Sequence, residues 1–132
     1  MKVYTGPFPN KGKKRKLEVT VHKWDCISLD CDLALVILPL LKRFRECNNG
    51  SPWMSEQEDI GPGFFRCHLE EESFHQLAWW EAALDAMIDA FQFFVDMQDE
   101  DFDCEREFDP VEQARVTQGL MLFGKHYRSL WL

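Results

Sequence analysis

The stretch that decides the fold is SFHQLAWWEAALDAMIDAFQFFVDM, residues 73–97. Its large apolar side chains recur every three or four positions, which is the period of an α-helix. The members of this apolar stripe are Trp80, Leu84, Met87, Ile88, Phe91, Phe94 and Val95. Trp79, Ala83 and Ala90 widen the stripe, so this helix, predicted over about residues 74–97, is expected to be buried on more than one side.

Two further helices are predicted, one on each side of this stretch in the sequence. The first covers about residues 30–47 and begins at Asp30 or Asp32, since either residue is a good N-cap. The last covers about residues 110–131 and begins with Asp109 as N-cap and Pro110 in the first turn. The sequence therefore predicts a mainly α protein with three core helices.

A small β element is predicted before the first helix. Residues 16–24 read KLEVTVHKW and alternate apolar with polar side chains, which is the period of a β-strand. The segment Met1–Thr5 is the expected partner strand, paired across a turn. The 132 residues are enough for one core, so a single domain over residues 1–132 is predicted.

Composition excludes several classes of protein. Hydrophobic residues make up 45% of the chain and aromatic residues 14%, which argues against a disordered protein. The longest apolar run, residues 33–41, contains Pro39 and is too short to cross a bilayer, and no apolar signal segment is found. The five cysteines are odd in number and have no CxxC spacing, so reduced thiols in the cytosol are expected.

The net charge of −8 is unevenly distributed. Residues 11–16 read KGKKRK, whereas residues 98–109 contain seven carboxylates. Both runs are compatible with solvated loops. Alternatively, the basic run contacts phosphate, or the acidic run acts as a decoy for a nucleic-acid-binding surface. The overall acidity argues against a general DNA-binding protein.

Cations cluster at the C-terminal ends of two predicted helices, where the simpler interpretation is compensation of the helix dipole. A functional alternative is that the two ends meet and form a basic pocket for a phosphate-bearing ligand, with an aromatic ring stacking on a base. The predicted ligand-binding residues are Trp24, Lys42, Arg43, Arg45, Lys125, His126, Tyr127 and Arg128.

Candidate metal ligands are few. Glu81, Asp85 and Asp89 recur every four positions, which places them on one helix face. Glu72 and His75 form a single Glu-x-x-His pair, whereas helix-bundle di-metal proteins use two such pairs. A solvated or salt-bridged face is therefore expected. No catalytic residue, metal or cofactor is predicted, because the chain has no glycine-rich phosphate loop and no GxSxG or HExxH motif.

Four segments carry a resemblance to known proteins. They are LPLLKRF at residues 38–44, NGSP at residues 49–52, LDAMIDAF at residues 84–91 and GLMLFGKHYRSLW at residues 119–131. Through them the chain resembles a family of small uncharacterised bacteriophage proteins over most of residues 24–131. The resemblance implies a phage origin and the host cytoplasm as the setting, and it assigns no activity and no functional residue.

The expected function is that of a small, non-enzymatic phage accessory protein that acts as a homo-oligomer and does not bind membranes. Its expected partner is a host protein or a phosphate-bearing small molecule. It would bind a host factor or sequester a host signalling nucleotide, in the manner of counter-defence proteins. Two alternatives remain open. One is an acidic inhibitor that mimics nucleic acid, and the other is a small metal-dependent nucleotide-processing enzyme.

Overall fold

The computed structural model of the chain describes residues 1–48 and 75–131. It contains two strands, β1 (Lys2–Thr5) and β2 (Leu17–Thr20), and four helices, α1 (Leu29–Cys47), α2 (His75–Asp96), α3 (Cys104–Phe108) and α4 (Pro110–His126). Short 3-10 turns cover Lys23–Cys26 and Tyr127–Ser129. The predicted fold, mainly α with three core helices and a small N-terminal β element, is confirmed.

The central helix is α2, and both α1 and α4 pack against it. In the described part of the chain, α1 and α4 contact α2 rather than each other. This explains the width of the apolar stripe in α2, since two neighbours cover two of its faces. Trp80, Leu84 and Met87 are at most 1% exposed, and Phe91 is also buried, whereas Ile88 is only half-buried.

Both neighbours run antiparallel to α2. Arg45, near the end of α1, lies beside Glu81 near the start of α2. His126, at the end of α4, packs against Trp79 and Trp80 in the first turns of α2. The antiparallel arrangement places the partly negative C-terminal ends of α1 and α4 next to the partly positive N-terminal end of α2.

Local capping explains where α4 begins. The Asp109 side chain accepts a hydrogen bond from the backbone N–H of Val111 at 2.9 Å, and Pro110 occupies the first turn. This is the predicted start. The helix ends at His126, earlier than predicted, and a 3-10 turn follows it.

The acidic run was predicted as a loop, and this prediction missed a short helix. The side chain of Asp103 accepts a hydrogen bond from the backbone N–H of Glu105 at 3.0 Å, and α3 follows it. Asp109 then ends α3 and starts α4, so two helices meet at one aspartate.

The predicted hairpin is confirmed, with β1 and β2 antiparallel and Val3 paired with Val19. Gly12 in the turn has φ +89°, a left-handed conformation that glycine adopts without strain. Neither strand contacts a helix in the described part of the chain.

The cysteines of the described residues are all thiols: Cys26, Cys31, Cys47 and Cys104. Burial raises the pKa of the Cys31 thiol, and the neighbouring Asp30 carboxylate adds to this effect. The NGSP segment at residues 49–52 lies outside the described residues. No helix among those described is both long and apolar enough for a bilayer.

Candidate functional site

The predicted basic pocket requires the C-terminal ends of two helices to lie close together. Arg45 of α1 contacts Glu81, and His126 of α4 packs against Trp79 and Trp80. All three of these partners lie in the first turns of α2. The structure therefore places the C-terminal ends of α1 and α4 at the same end of the helical core.

The three cations at the end of α1 are all engaged with side chains of the same chain. Arg45 reaches across to α2, whereas Arg43 pairs within its own helix. The hydrogen bonds join Arg45 to Glu81 and Asp85 (3.2 and 3.1 Å), Arg43 to Glu46 (2.9 Å) and Lys42 to Gln92 (2.9 Å). A phosphate at Arg45 or Arg43 would compete with a carboxylate already bound there, which weakens the case for a preformed phosphate pocket.

His126 belongs to the core rather than to the surface of this end. Its side chain is only 6% exposed, and its ring meets the rings of Trp79 and Trp80 edge-on, at centroid distances of 5.3 and 5.6 Å. His126 was predicted to bind a ligand together with the neighbouring cations, because it lies in the last turn of the helix. The rotation of α4 instead turns this residue towards α2.

The exposed residues at the end of α4 are Lys125, Tyr127 and Arg128. The Tyr127 ring packs edge-on against Phe123 at 5.6 Å and still leaves most of its surface in solvent. A ligand that binds at this end of α4 would meet these three side chains.

Trp24 is not brought to this end. It lies in the 3-10 turn before α1, whereas the cations of α1 are in its last turns. The 19 residues of α1 span about 28 Å, so Trp24 and Arg45 lie near opposite ends of that helix. The Trp24 side chain is 68% exposed, and the Lys23 ammonium sits 4.6 Å from its ring centroid. The prediction that Trp24 stacks on a base held by the helix ends is therefore not supported.

Two of the three carboxylates in the row on α2 are ion-paired. Glu81 and Asp85 both bind Arg45, and burial raises the pKa of Asp89, with the nearby Asp85 carboxylate adding to the rise. Among residues 1–48 and 75–131, no three metal-ligating side chains are grouped so that they could hold a metal ion. The pair of Glu72 and the His75 side chain lies outside the described residues.

The opposite end of the molecule is strongly acidic. We call residues 96–112 the acidic end, because they contain nine carboxylates and one cation, Arg106, for a net charge of 1 − 9 = −8. The Arg106 guanidinium donates to Asp96 and to Glu112, both at 2.9 Å, and lies 5.4 Å from the ring centroid of Phe93. One arginine thus ties α3 to both α2 and α4.

The pKa of Asp96 reflects this contact. Burial by itself would raise the pKa of this carboxyl, but hydrogen bonds from Gln92 and Arg106 outweigh it and leave the pKa below its ordinary value. The same carboxylates raise the pKa of Arg106, with Asp96 as the larger cause and Glu112 as the next. The anchoring ion pairs are therefore fully charged at neutral pH.

Apolar side chains are exposed within this acidic surface. Phe108, at the end of α3, is 77% exposed, and Val111, in the first turn of α4, is 62% exposed. Phe102, by contrast, is partly buried with its ring edge-on to Phe93 at 5.7 Å. The helix α3 was not predicted from the sequence. Asp103 followed two residues later by Glu105 is nevertheless a signal for a helix start.

No protein-family model matches this chain, and neither a curated protein nor a solved structure is significantly similar to it. Function is therefore inferred from the charges, contacts and exposed side chains of the chain itself.

Proposed function

We propose that this protein is a non-enzymatic binding protein whose acidic end engages a basic surface of a partner protein. The observation that carries the proposal is the exposure of Phe108 and Val111 among nine carboxylates. An exposed aromatic side chain does not help to keep an acidic surface solvated. An apolar anchor surrounded by a charged rim is the usual organisation of a protein interface.

The chemistry of the acidic end identifies the kind of partner. A dense carboxylate surface attracts a surface rich in lysine and arginine and speeds its approach. Proteins that bind nucleic acid present such surfaces, since they neutralise phosphates with these side chains. The proposed partner is therefore a nucleic-acid-binding protein, and the proposed role is to occupy its nucleic-acid site. In keeping with the phage resemblance, the proposed setting is a host cell during infection.

The acidic end is stabilised by contacts within the chain. Arg106 ties α3 to its neighbours, and the Asp103 and Asp109 side chains cap α3 and α4. A preorganised surface loses less conformational entropy on binding, so more of the interaction free energy appears as affinity.

A competition experiment tests the proposal. The immobilised protein is exposed to a bacterial extract cleared of nucleic acid, and retained proteins are eluted with duplex DNA and identified by mass spectrometry. We expect nucleic-acid-binding proteins in the eluate. Glu100→Gln with Glu105→Gln should reduce their retention several-fold, and Phe108→Ala should do the same without altering the charge.

The matched control is Glu18→Gln with Glu46→Gln, which removes the same charge from exposed positions outside the acidic end. Retention by this control should equal that of the unaltered protein. Equal loss in both double variants would mean that net charge alone, and not the acidic end, drives binding, and the proposal would fail. It would also fail if DNA elutes nothing specific from the unaltered protein.

A second candidate function is sequestration of a phosphate-bearing ligand at the C-terminal ends of α1 and α4. The observation in its favour is that these two ends lie together, with Lys125, Tyr127 and Arg128 exposed there. Calorimetry against cyclic and linear nucleotides tests it. Arg128→Ala should weaken binding about tenfold, the effect of losing one charge-assisted hydrogen bond, whereas the remote Lys23→Ala should not. The candidate fails if the unaltered protein binds no nucleotide.

A further inference from the structure

The N-terminal hairpin has an apolar face that nothing in the described structure covers. Val3 and Val19 are paired across the strands, and Thr5 pairs with Leu17 two positions along, so all four lie on one face. Val3, Leu17 and Val19 are exposed, with Leu17 at 65%, and neither strand contacts a described helix. A two-stranded hairpin is marginally stable by itself in water, so a covering surface is expected.

We call residues 1–23 the arm. Its base is fixed at the start of α1, because the N-terminal ammonium of Met1 binds the Asp25 carboxylate at 2.8 Å. Asp25 also accepts a hydrogen bond from the backbone N–H of His22 at 2.7 Å. The bond from the ammonium is the larger cause, and the His22 N–H the next, of a lowered pKa at Asp25. These two contacts fix the position of the arm base, whereas the apolar face of the hairpin stays in solvent.

A matching apolar surface lies on the outer side of α1. Leu29, Leu33 and Leu40 are exposed, the last at 66%, and half-buried Val36 lies between them. Their spacing of four, three and four residues places them along one face of the helix. We call these four residues the outer stripe. It is distinct from the face of α1 that packs on α2, whose members are Ala34, Leu38 and Leu41.

Charge complementarity favours contact between the arm and the helical body. The arm contains seven lysines and arginines and one glutamate, for a net charge of 7 − 1 = +6. Since the whole chain carries −8, residues 24–132 carry −8 − 6 = −14. Asp30 and Asp32 lie next to the outer stripe in the first turn of α1. A body of this same sequence is therefore an electrostatic complement of the arm.

We infer that the arm of one copy packs its apolar face on the outer stripe of a second copy, and that the second arm does the same in return. A two-fold dimer of this kind uses the same two surfaces on both subunits. It covers both exposed apolar surfaces at once and brings the basic turn near Asp30 and Asp32 of the other copy. Nucleic acid is a poorer occupant of the arm, because the acidic body repels a polyanion. This inference does not depend on the partner proposed for the acidic end.

Sedimentation velocity of the purified full chain at micromolar concentrations tests the apolar contact. The unaltered protein should sediment as a dimer. Val19→Ser and Leu33→Ser should each raise the dimer dissociation constant at least tenfold. Both side chains are exposed in the single chain, so circular dichroism should show unchanged helix content. Met121→Ser, at a similarly exposed position on α4, is the matched control and should remain dimeric.

Charge reversal tests whether the arm of each copy packs on the outer stripe of the other. Lys11→Glu with Lys13→Glu and Lys14→Glu reverses the charge of the basic turn at residues 11–16, from +5 to 2 − 3 = −1. Asp30→Lys with Asp32→Lys reverses its receptor. Each variant alone should be monomeric. An equimolar mixture should form a heterodimer by native mass spectrometry, because the acidic turn then meets the basic receptor and the unaltered turn meets the unaltered receptor.

Several results would overturn the inference. They are a monomeric unaltered protein, a dimer that survives charge reversal of the turn, no heterodimer in the mixture, or an equal effect of Met121→Ser. Binding of duplex DNA that disappears on charge reversal of the turn, in a protein that stays monomeric, would assign the arm to nucleic acid instead.

Discussion

Phe91 and Phe108 are the same residue type in opposite surroundings. Phe91 is 6% exposed, and its ring meets Phe123 edge-on at a centroid distance of 4.9 Å. Phe108 is 77% exposed at the end of α3. Removing the ring of Phe91 leaves a cavity between α2 and α4, whereas removing the ring of Phe108 changes only a solvated surface. The first residue stabilises the fold, and the second is available for binding.

The residue-level prediction follows from this difference. Phe91→Ala should lower the free energy of unfolding by about 3–5 kcal/mol, the usual range for a buried phenylalanine. Phe108→Ala should change it by less than about 0.5 kcal/mol, as for other surface substitutions. Urea denaturation followed by circular dichroism measures both. A large loss of stability in the Phe108 variant would show that α3 depends on this ring, and its use as a binding probe would then be invalid.

Two glycines within α4 show how an element is adapted to its neighbour. A Cβ atom added at Gly119 would collide with the backbone carbonyl oxygen of Ala86 and would lie 2.5 Å from the Cβ of Ala90. Gly119 therefore marks the close approach of α4 to α2. A Cβ added at Gly124 would have no neighbour within 4 Å. The sequence alone does not distinguish the two positions, since each is a glycine inside a helix.

Alanine substitution should consequently have opposite signs at the two positions. Gly119→Ala should destabilise the protein by about 1–3 kcal/mol, because the two helix backbones must separate. Gly124→Ala should stabilise it by up to about 1 kcal/mol, since alanine favours a helix and meets no obstacle there. Thermal and urea denaturation of the two variants, compared with the unaltered protein, give both values. A stabilising Gly119→Ala would contradict the close packing of α2 and α4.

The whole molecule separates its charges. The arm carries +6 and the acidic end −8, and the cations in the last turns of α1 and α4 lie at the opposite end of the helical core from the acidic end. Asp96 links the acidic end to the stability of the fold. Hydrogen bonds from Gln92 and Arg106 lower the pKa of its carboxyl. A carboxyl whose pKa is lower in the folded protein than in the unfolded chain stabilises the fold above its ordinary pKa. That contribution is lost as the pH falls through the lowered value.

Stability should therefore fall on acidification below about pH 4, in the range where unfolded aspartates become protonated. Asp96→Asn should reduce the slope of this fall, and Arg106→Gln should also reduce it by removing one of the donors. Urea denaturation at several pH values between 6 and 3 measures the slopes. The variant with both substitutions should differ little from Asp96→Asn alone. An unchanged slope in Asp96→Asn would show that this carboxyl has no part in acid unfolding.

The sequence by itself determined the main elements of this fold, although not α3. The apolar period of residues 73–97 identifies α2, the Asp109-Pro110 pair identifies the start of α4, and the alternation at Leu17–Thr20 identifies β2. Each of these signals is local, because helix and strand periods, caps and turn residues act over a few neighbouring positions. The same locality explains why charges at helix ends could be found from sequence, and their partners could not.

Only the tertiary structure decided which side chains meet. Arg45 finds its carboxylate on Glu81, 36 positions away, and His126 is buried because α4 rotates it towards two tryptophans. Phe108 is exposed because α3 turns it outwards, although its apolar character in the sequence resembles that of a core residue. These outcomes depend on how whole helices are packed, and packing joins residues far apart in the chain whose pairing leaves no local pattern.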